Sequence, residues 1–145
     1  NHAAPNDVEV ARACPLLDDR CASRERLDLR LGAQRPPIIF GDGEQSRDFT
    51  FIENVVQANL LAMSAEHLHG EAMNIACGKR ISLNQLLKIL KKILGSKLTP
   101  IYQEPRKGDV RHSLADIRKS KKFINYIPKV GTEEGLNKTV EFFQR

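Results

Sequence analysis

Two short stretches hold the residues best suited to chemistry. Phe40 to Glu53, FGDGEQSRDFTFIE, carries Arg47 just past a glycine turn, and Arg106 to His112, RKGDVRH, carries two arginines around Gly108-Asp109. A guanidinium is planar and permanently charged, and its fork can hold a phosphate by two parallel hydrogen bonds. Glycine beside it allows close backbone approach. Two such loops at strand ends suit a diphosphate. Asp109 is anionic and cannot hold phosphate, but a carboxylate accepts bonds from both hydroxyls of a ribose. The plainer readings are a surface Arg47 paired with Asp42 or Asp48, and a solvated basic turn with an internal Arg111–Asp109 pair.

These loops need elements to place them. Ile38, Ile39 and Phe40 read as a buried strand that reverses at Asp42-Gly43, and Thr50 with Glu53 has the T-x-x-E form of a capping box. Arg47 thereby falls between a strand end and a helix start, where open α/β sheets bind ligands. The helix behind Thr50 is expected to run to about Ser64. Its face of Ile52, Val55, Val56, Asn59, Leu60 and Met63 is expected to pack on a sheet. Ala72 to Cys77 is a short apolar run ending at Gly78 and predicts a buried strand. Ser82-Leu-Asn-Gln85 is a second capping box, opening a helix striped with Leu83, Leu86, Leu87, Leu90, Ile93 and Leu94 and stopped by Gly95. Leu98 to Gln103, holding Pro100, predicts an edge strand. Ser113 and Asp116 suggest a third box before a helix through Ile117 and Phe123 that stops before Pro128. A last helix starts at Thr132 and should turn Leu136, Val140 and Phe143 inward, with Glu133 and Glu134 at its positive end.

At 145 residues the chain can bury a core without disulfides or metal. No run of about 18 apolar residues exists and the start has no signal-peptide pattern, so neither a membrane span nor export is expected, and the location expected by default is cytoplasmic. Cys14, Cys21 and Cys77 lack zinc-type spacing and read as thiols, with no metal site. The net charge of +5 suits an anionic partner. It is unevenly spread: residues 1 to 37 carry six arginines, no lysine and six acids, while the rest holds all eleven lysines. The first 37 residues also lack Ile, Phe, Tyr, Trp and Met, and their Leu and Val settle into no period. They read as a leader, either foreign or out of frame, or else a divergent, loosely packed segment. The structured unit is expected over 38 to 145.

The segments GDGEQSRDFTFIENVVQANLLA, NIACGKRISLNQL and RKGDVRHSLADIRK, followed by Tyr126-x-Pro128 and EEGL, resemble the C-terminal part of the extended short-chain dehydrogenase/reductase family. Within it they are most similar to the nucleotide-sugar epimerases and dehydratases, UDP-glucose and UDP-N-acetylglucosamine 4-epimerases in particular. The resemblance implies an α/β fold: the small substrate-binding lobe, with short strands and about four helices and the Rossmann half missing. It implies that Arg47 and Arg106 grip the diphosphate of a UDP-sugar, that Asp109 binds its ribose, and that Ile38, Ile39 and Phe40 flank the uracil with Phe49 nearby. Asn54 stands where the family usually has Asp. NAD is implied for the intact parent, which would oxidise the sugar C4 hydroxyl and return the hydride to the other face.

The chain itself shows neither a G-x-x-G-x-x-G turn nor a Tyr-x-x-x-Lys pair, since Tyr102 and Tyr126 are followed four residues on by Arg106 and Val130. No catalytic residue is therefore assigned and no NAD binding is expected of this chain alone. His112 reads as a loop hydrogen-bonder. The expected function is a UDP-sugar-binding lobe of a 4-epimerase, silent by itself. Its rivals are a dehydratase or decarboxylase lobe, and a subunit that completes a separately encoded Rossmann half or pairs with itself. A basic nucleic-acid module using Lys88, Lys91, Lys92, Arg118, Lys119, Lys121 and Lys122 lacks any recognition motif, so no nucleic acid is expected.

Overall fold

The computed structural model describes residues 35–144. The calls made for Cys14, Cys21 and nearly all of the 1 to 37 leader thus lie outside the described residues. Pro37 does not: it is fully buried, and its carbonyl accepts from the Ile101 N–H at 2.8 Å. The architecture is mixed α/β, in the order β1 (Ile38–Phe40), β2 (Ser46–Arg47), α1 (Ile52–Met63), β3 (Ile81–Ser82), α2 (Leu83–Leu94), β4 (Ile101–Gln103), α3 (Arg118–Ile124) and α4 (Thr132–Phe143). Strands β1 and β4 pair in parallel with Ile38 opposite Ile101, and β2 and β3 pair antiparallel with Ser46 opposite Ser82. A single parallel bridge joins Ser46 to His112. The two-residue β2 and β3 have no period to read and were not foreseen.

Helix α2 is the scaffold, and its sequence dictates it. Ser82 and Gln85 form the reciprocal capping box, and Gly95 ends the helix in the left-handed region at φ 61°. Its leucine stripe meets Ile39, Leu136 and Val140 in the larger core cluster. A second cluster holds Ala58, Ile124 and Tyr126 under α1.

Four expectations are corrected. Thr50 and Glu53 make no capping box: Phe51 is the N-cap with no side-chain bond, and the Glu53 carboxylate accepts from Lys138 Nζ at 2.9 Å instead. The predicted inner face of α1 points outward, with Ile52, Val56, Leu60 and Met63 exposed by 50 to 83%. The helix buries Asn54 and Ala58 on its other side. Residues 72 to 77 are extended but join no ladder among the described residues. Side chains serve that backbone instead: Asp48 accepts from the N–H groups of Cys77 and Gly78, and Tyr126 donates to the Ala76 carbonyl at 3.0 Å. Ser113 and Asp116 likewise form no box; Ile117 is the N-cap of α3, and Asp116 is turned onto Arg118. Phe143 is also exposed rather than inward, because α4 meets the core only through Gly135, Leu136 and Val140.

Candidate functional site

Because β1 and β4 are parallel neighbours, their carboxyl ends lie side by side, and so do the loops that leave them. This is the sheet edge at which α/β folds place ligands. The first loop turns through Gly41 and Gly43, both at positive φ. Gly43 is required for a second reason, since a Cβ there would come 2.1 Å from Asn84 Oδ1. The contact lets α2 support the loop: Asn84 N–H donates to the Gly43 carbonyl and Asn84 Nδ2 donates to the Asp42 carbonyl. Tyr102, on β4, donates its hydroxyl to Asn84 Oδ1 at 2.9 Å. The second loop is held to the first by Ser46, whose N–H donates to the Arg111 carbonyl and whose hydroxyl bonds His112 Nδ1 at 2.8 Å.

Between the loops lies an open cleft of about 430 Å³, lined by Phe40, Gly41, Asp42, Gln45, Gln103, Glu104, Pro105, Arg106, Asp109 and Arg111. That is within the size range of small-ligand sites. The Arg106 guanidinium stacks over the Phe40 ring, 4.0 Å from its centroid. Arg47 stands behind the wall. Its Nη1 donates to the carbonyls of Ser46 (2.8 Å) and Arg111 (3.5 Å), and its Nη2 donates to Asp109 Oδ1 at 2.5 Å. A parallel pair closes the other side, Arg111 Nη2 to Asp42 Oδ2 at 2.8 Å. The Asp42 carboxyl is held below its usual range, first by the Glu44 N–H and then by Arg111.

The structure therefore brings Arg47, Arg106, Asp109 and Phe40 to one cleft. Ile38 is half-buried on β1, but Ile39 is 1% exposed and belongs to the core, because alternate strand residues face opposite ways. Ile39 supports the cleft from behind and cannot touch a ligand in it. Phe49 packs on the α2 core cluster and is not among the lining residues. The ion pairing differs from the plainer sequence readings, which joined Arg111 to Asp109 and Arg47 to Asp42 or Asp48: the partners are exchanged across the two loops. The sequence reading missed Gln45, which is 8% exposed and donates to the Phe40 carbonyl at 2.6 Å. Its signal would have been a polar residue held among buried ones, which the strand and helix patterns do not reveal. Among the described residues no cluster of His, Cys, Asp or Glu could hold a metal ion, and no helix is long and apolar enough to cross a membrane.

A family model described as "NAD dependent epimerase/dehydratase family" matches residues 1–76, more than half of the chain. The chain belongs to that family. The match begins at residue 1, so it includes the arginine-only segment that composition set apart from the lobe. Among family relatives, the UDP-glucuronate 4-epimerase of Thermodesulfobacterium geofontis is 39% identical over 75% of this chain and 33% of its own length. The UDP-glucuronic acid decarboxylase 1 of Xenopus tropicalis is 28% identical over 88% of this chain and 30% of its own. A crystal structure of the Thermotoga maritima UDP-glucose 4-epimerase with UDP-glucose superposes with a TM-score of 0.77 at 45% identity, over 81% of this chain and 38% of that one. The chain thus spans about a third of the length of the curated relatives it matches.

The epimerase/dehydratase family's nicotinamide cofactor does not fit the described residues. The N–H groups that open α2 are all taken: Ser82 by Gln85 Oε1, Leu83 by the Gln45 carbonyl, Asn84 by the Gly43 carbonyl and Gln85 by Ser82 Oγ. Nothing remains there for a pyrophosphate. Tyr126 is fully buried and Tyr102 is tied to Asn84, so neither tyrosine is placed for acid/base work.

Proposed function

We propose that residues 38–144 are the UDP-sugar-binding lobe of a nucleotide-sugar 4-epimerase, and that this chain binds nucleotide without turning it over. One observation carries the reading: two arginine-bearing loops, 62 residues apart in sequence, meet through Arg47 and Asp109 beside the Arg106–Phe40 stack. In this reading Arg106 and Arg47 neutralise the diphosphate by charge-assisted bonds, Asp109 accepts from the ribose hydroxyls, and Phe40 with Ile38 flanks the base. The names of the relatives support a UDP-sugar as the ligand class. NAD and the acid/base residues belong to the portion of a family-length protein outside residues 35–144.

The outward apolar face of α1 and the unladdered stretch 72 to 77 support the same division. Both have the character of surfaces made to pack on more sheet, supplied by the rest of such a protein or by a separate Rossmann-type half. A decarboxylase lobe is the second reading, favoured by the decarboxylase relatives; the diphosphate grip is common to both.

Titration of the 145-residue chain with UDP, followed by calorimetry, tests the proposal. Saturable binding is expected, weakened about tenfold or more by Arg106→Ala or Arg47→Ala, as for loss of a charged hydrogen bond. Equal affinity of wild type and both variants, or no saturation, would sink it.

A further inference from the structure

Asp109 lines the cleft and Arg47 does not; the carboxylate stands between the guanidinium and any ligand. We propose that Asp109 is a specificity gate, admitting nucleoside diphosphates and rejecting anions that lack a ribose. The inference rests on the proposed function and adds to it a selection that no relative's name describes.

The geometry divides the Arg47 guanidinium into a fixed and an exchangeable side. Nη1 is pinned by two backbone carbonyls, Ser46 and Arg111, which cannot leave without moving the loops. Nη2 is bonded to a side-chain carboxylate, which can rotate away. The pair is neither buried nor fully wet, with side chains 28% and 38% exposed. A phosphate that reaches Nη2 must therefore displace Asp109 and leave that carboxylate without its cation. Inorganic pyrophosphate offers the stranded carboxylate only more negative charge. A nucleoside diphosphate offers two hydroxyl donors on the adjoining ribose, so the carboxylate exchanges a guanidinium for hydroxyls as the phosphate takes the guanidinium. Recognition of the two parts of the ligand is coupled through one residue. Asp42, which holds Arg111 across the same cleft, carries the same charge but does not shield Arg47, so it separates a general charge effect from the exchange.

The test compares UDP and inorganic pyrophosphate as ligands of the full chain and of its Asp109→Asn and Asp42→Asn variants, at one ionic strength, by calorimetry. Both pairs are exposed, and unchanged melting temperatures establish that the variants fold. Asp109→Asn is expected to tighten pyrophosphate by about tenfold and to weaken UDP, so that the preference for UDP collapses. Asp42→Asn should shift both ligands in the same direction by a similar factor. If Asp109→Asn moves UDP and pyrophosphate together, or leaves pyrophosphate unchanged, Asp109 is not a gate, although the UDP-binding proposal stands. If wild type fails to bind UDP, the gate fails together with that proposal.

Discussion

Helices α1 and α2 have the same length and each carries an apolar stripe, but the stripes meet different fates. In α2, Leu86 and Leu90 are 0% exposed against Ile39, Leu136 and Val140. In α1, Ile52, Val56, Leu60 and Met63 face outward, while the face holding Asn54 and Ala58 is buried. An apolar period predicts that a helix will bury a face; it does not say what will cover it. Helix α2 finds its cover within the lobe. Helix α1 is anchored by a polar residue instead: Asn54 donates to the Val130 carbonyl at 2.7 Å and accepts from the N–H groups of Lys129 and Val130.

Mutations can break this contrast. The largest effect is expected for Leu90→Ala in α2, which should cost about 3 kcal/mol by removing fully buried methyl groups and leaving a cavity, as read from urea unfolding. Leu60→Ala in α1 should cost about 0.5 kcal/mol or less, because its side chain is already 59% exposed. Equal losses at the two sites would erase the distinction. Next comes Asn54→Ala, expected to cost about 2 kcal/mol or more, since it strands two N–H groups and a carbonyl in the interior; a shift in thermal midpoint reads it.

Smaller effects sharpen the contrast at the outward face. Leu60→Asp should leave the midpoint nearly unchanged yet abolish concentration-dependent self-association in sedimentation velocity, if the α1 face is a docking surface. The least effect is expected at Asp116, which Arg118 holds down at about 2 through its guanidinium and then its N–H. A depressed carboxyl contributes stability above its unfolded value of 3.8 and loses it as pH falls through about 2. Asp116→Asn should therefore flatten a small part of the stability slope in that acid window and change nothing near neutrality.

The same contrast explains what was legible in the sequence. Ser82, Gln85 and Gly95 were readable because their partners lie within one turn of chain. Thr50 with Glu53 and Ser113 with Asp116 have a similar local form, but Glu53 finds Lys138 and Asp116 finds Arg118, so tertiary or neighbouring cations outcompeted the backbone. The strand at 72 to 77 failed because pairing needs a neighbour, and pattern alone supplies none. At the site, both loops and their arginines were legible from glycine turns and charge. Which carboxylate each arginine holds was not, because the pairs Arg47–Asp109 and Arg111–Asp42 join residues more than sixty positions apart. Ile39 was placed at the ligand by its position in a strand whose side-chain alternation turns it to the core.

The most direct test is an amide NMR titration of the chain with UDP, which reads both regions at once. The account predicts saturable shifts at Phe40, Arg47, Arg106 and Asp109, with Val56, Leu60 and Met63 of α1 unmoved. Shifts confined to the α1 face, or no saturable shift at the two arginine loops, would contradict it.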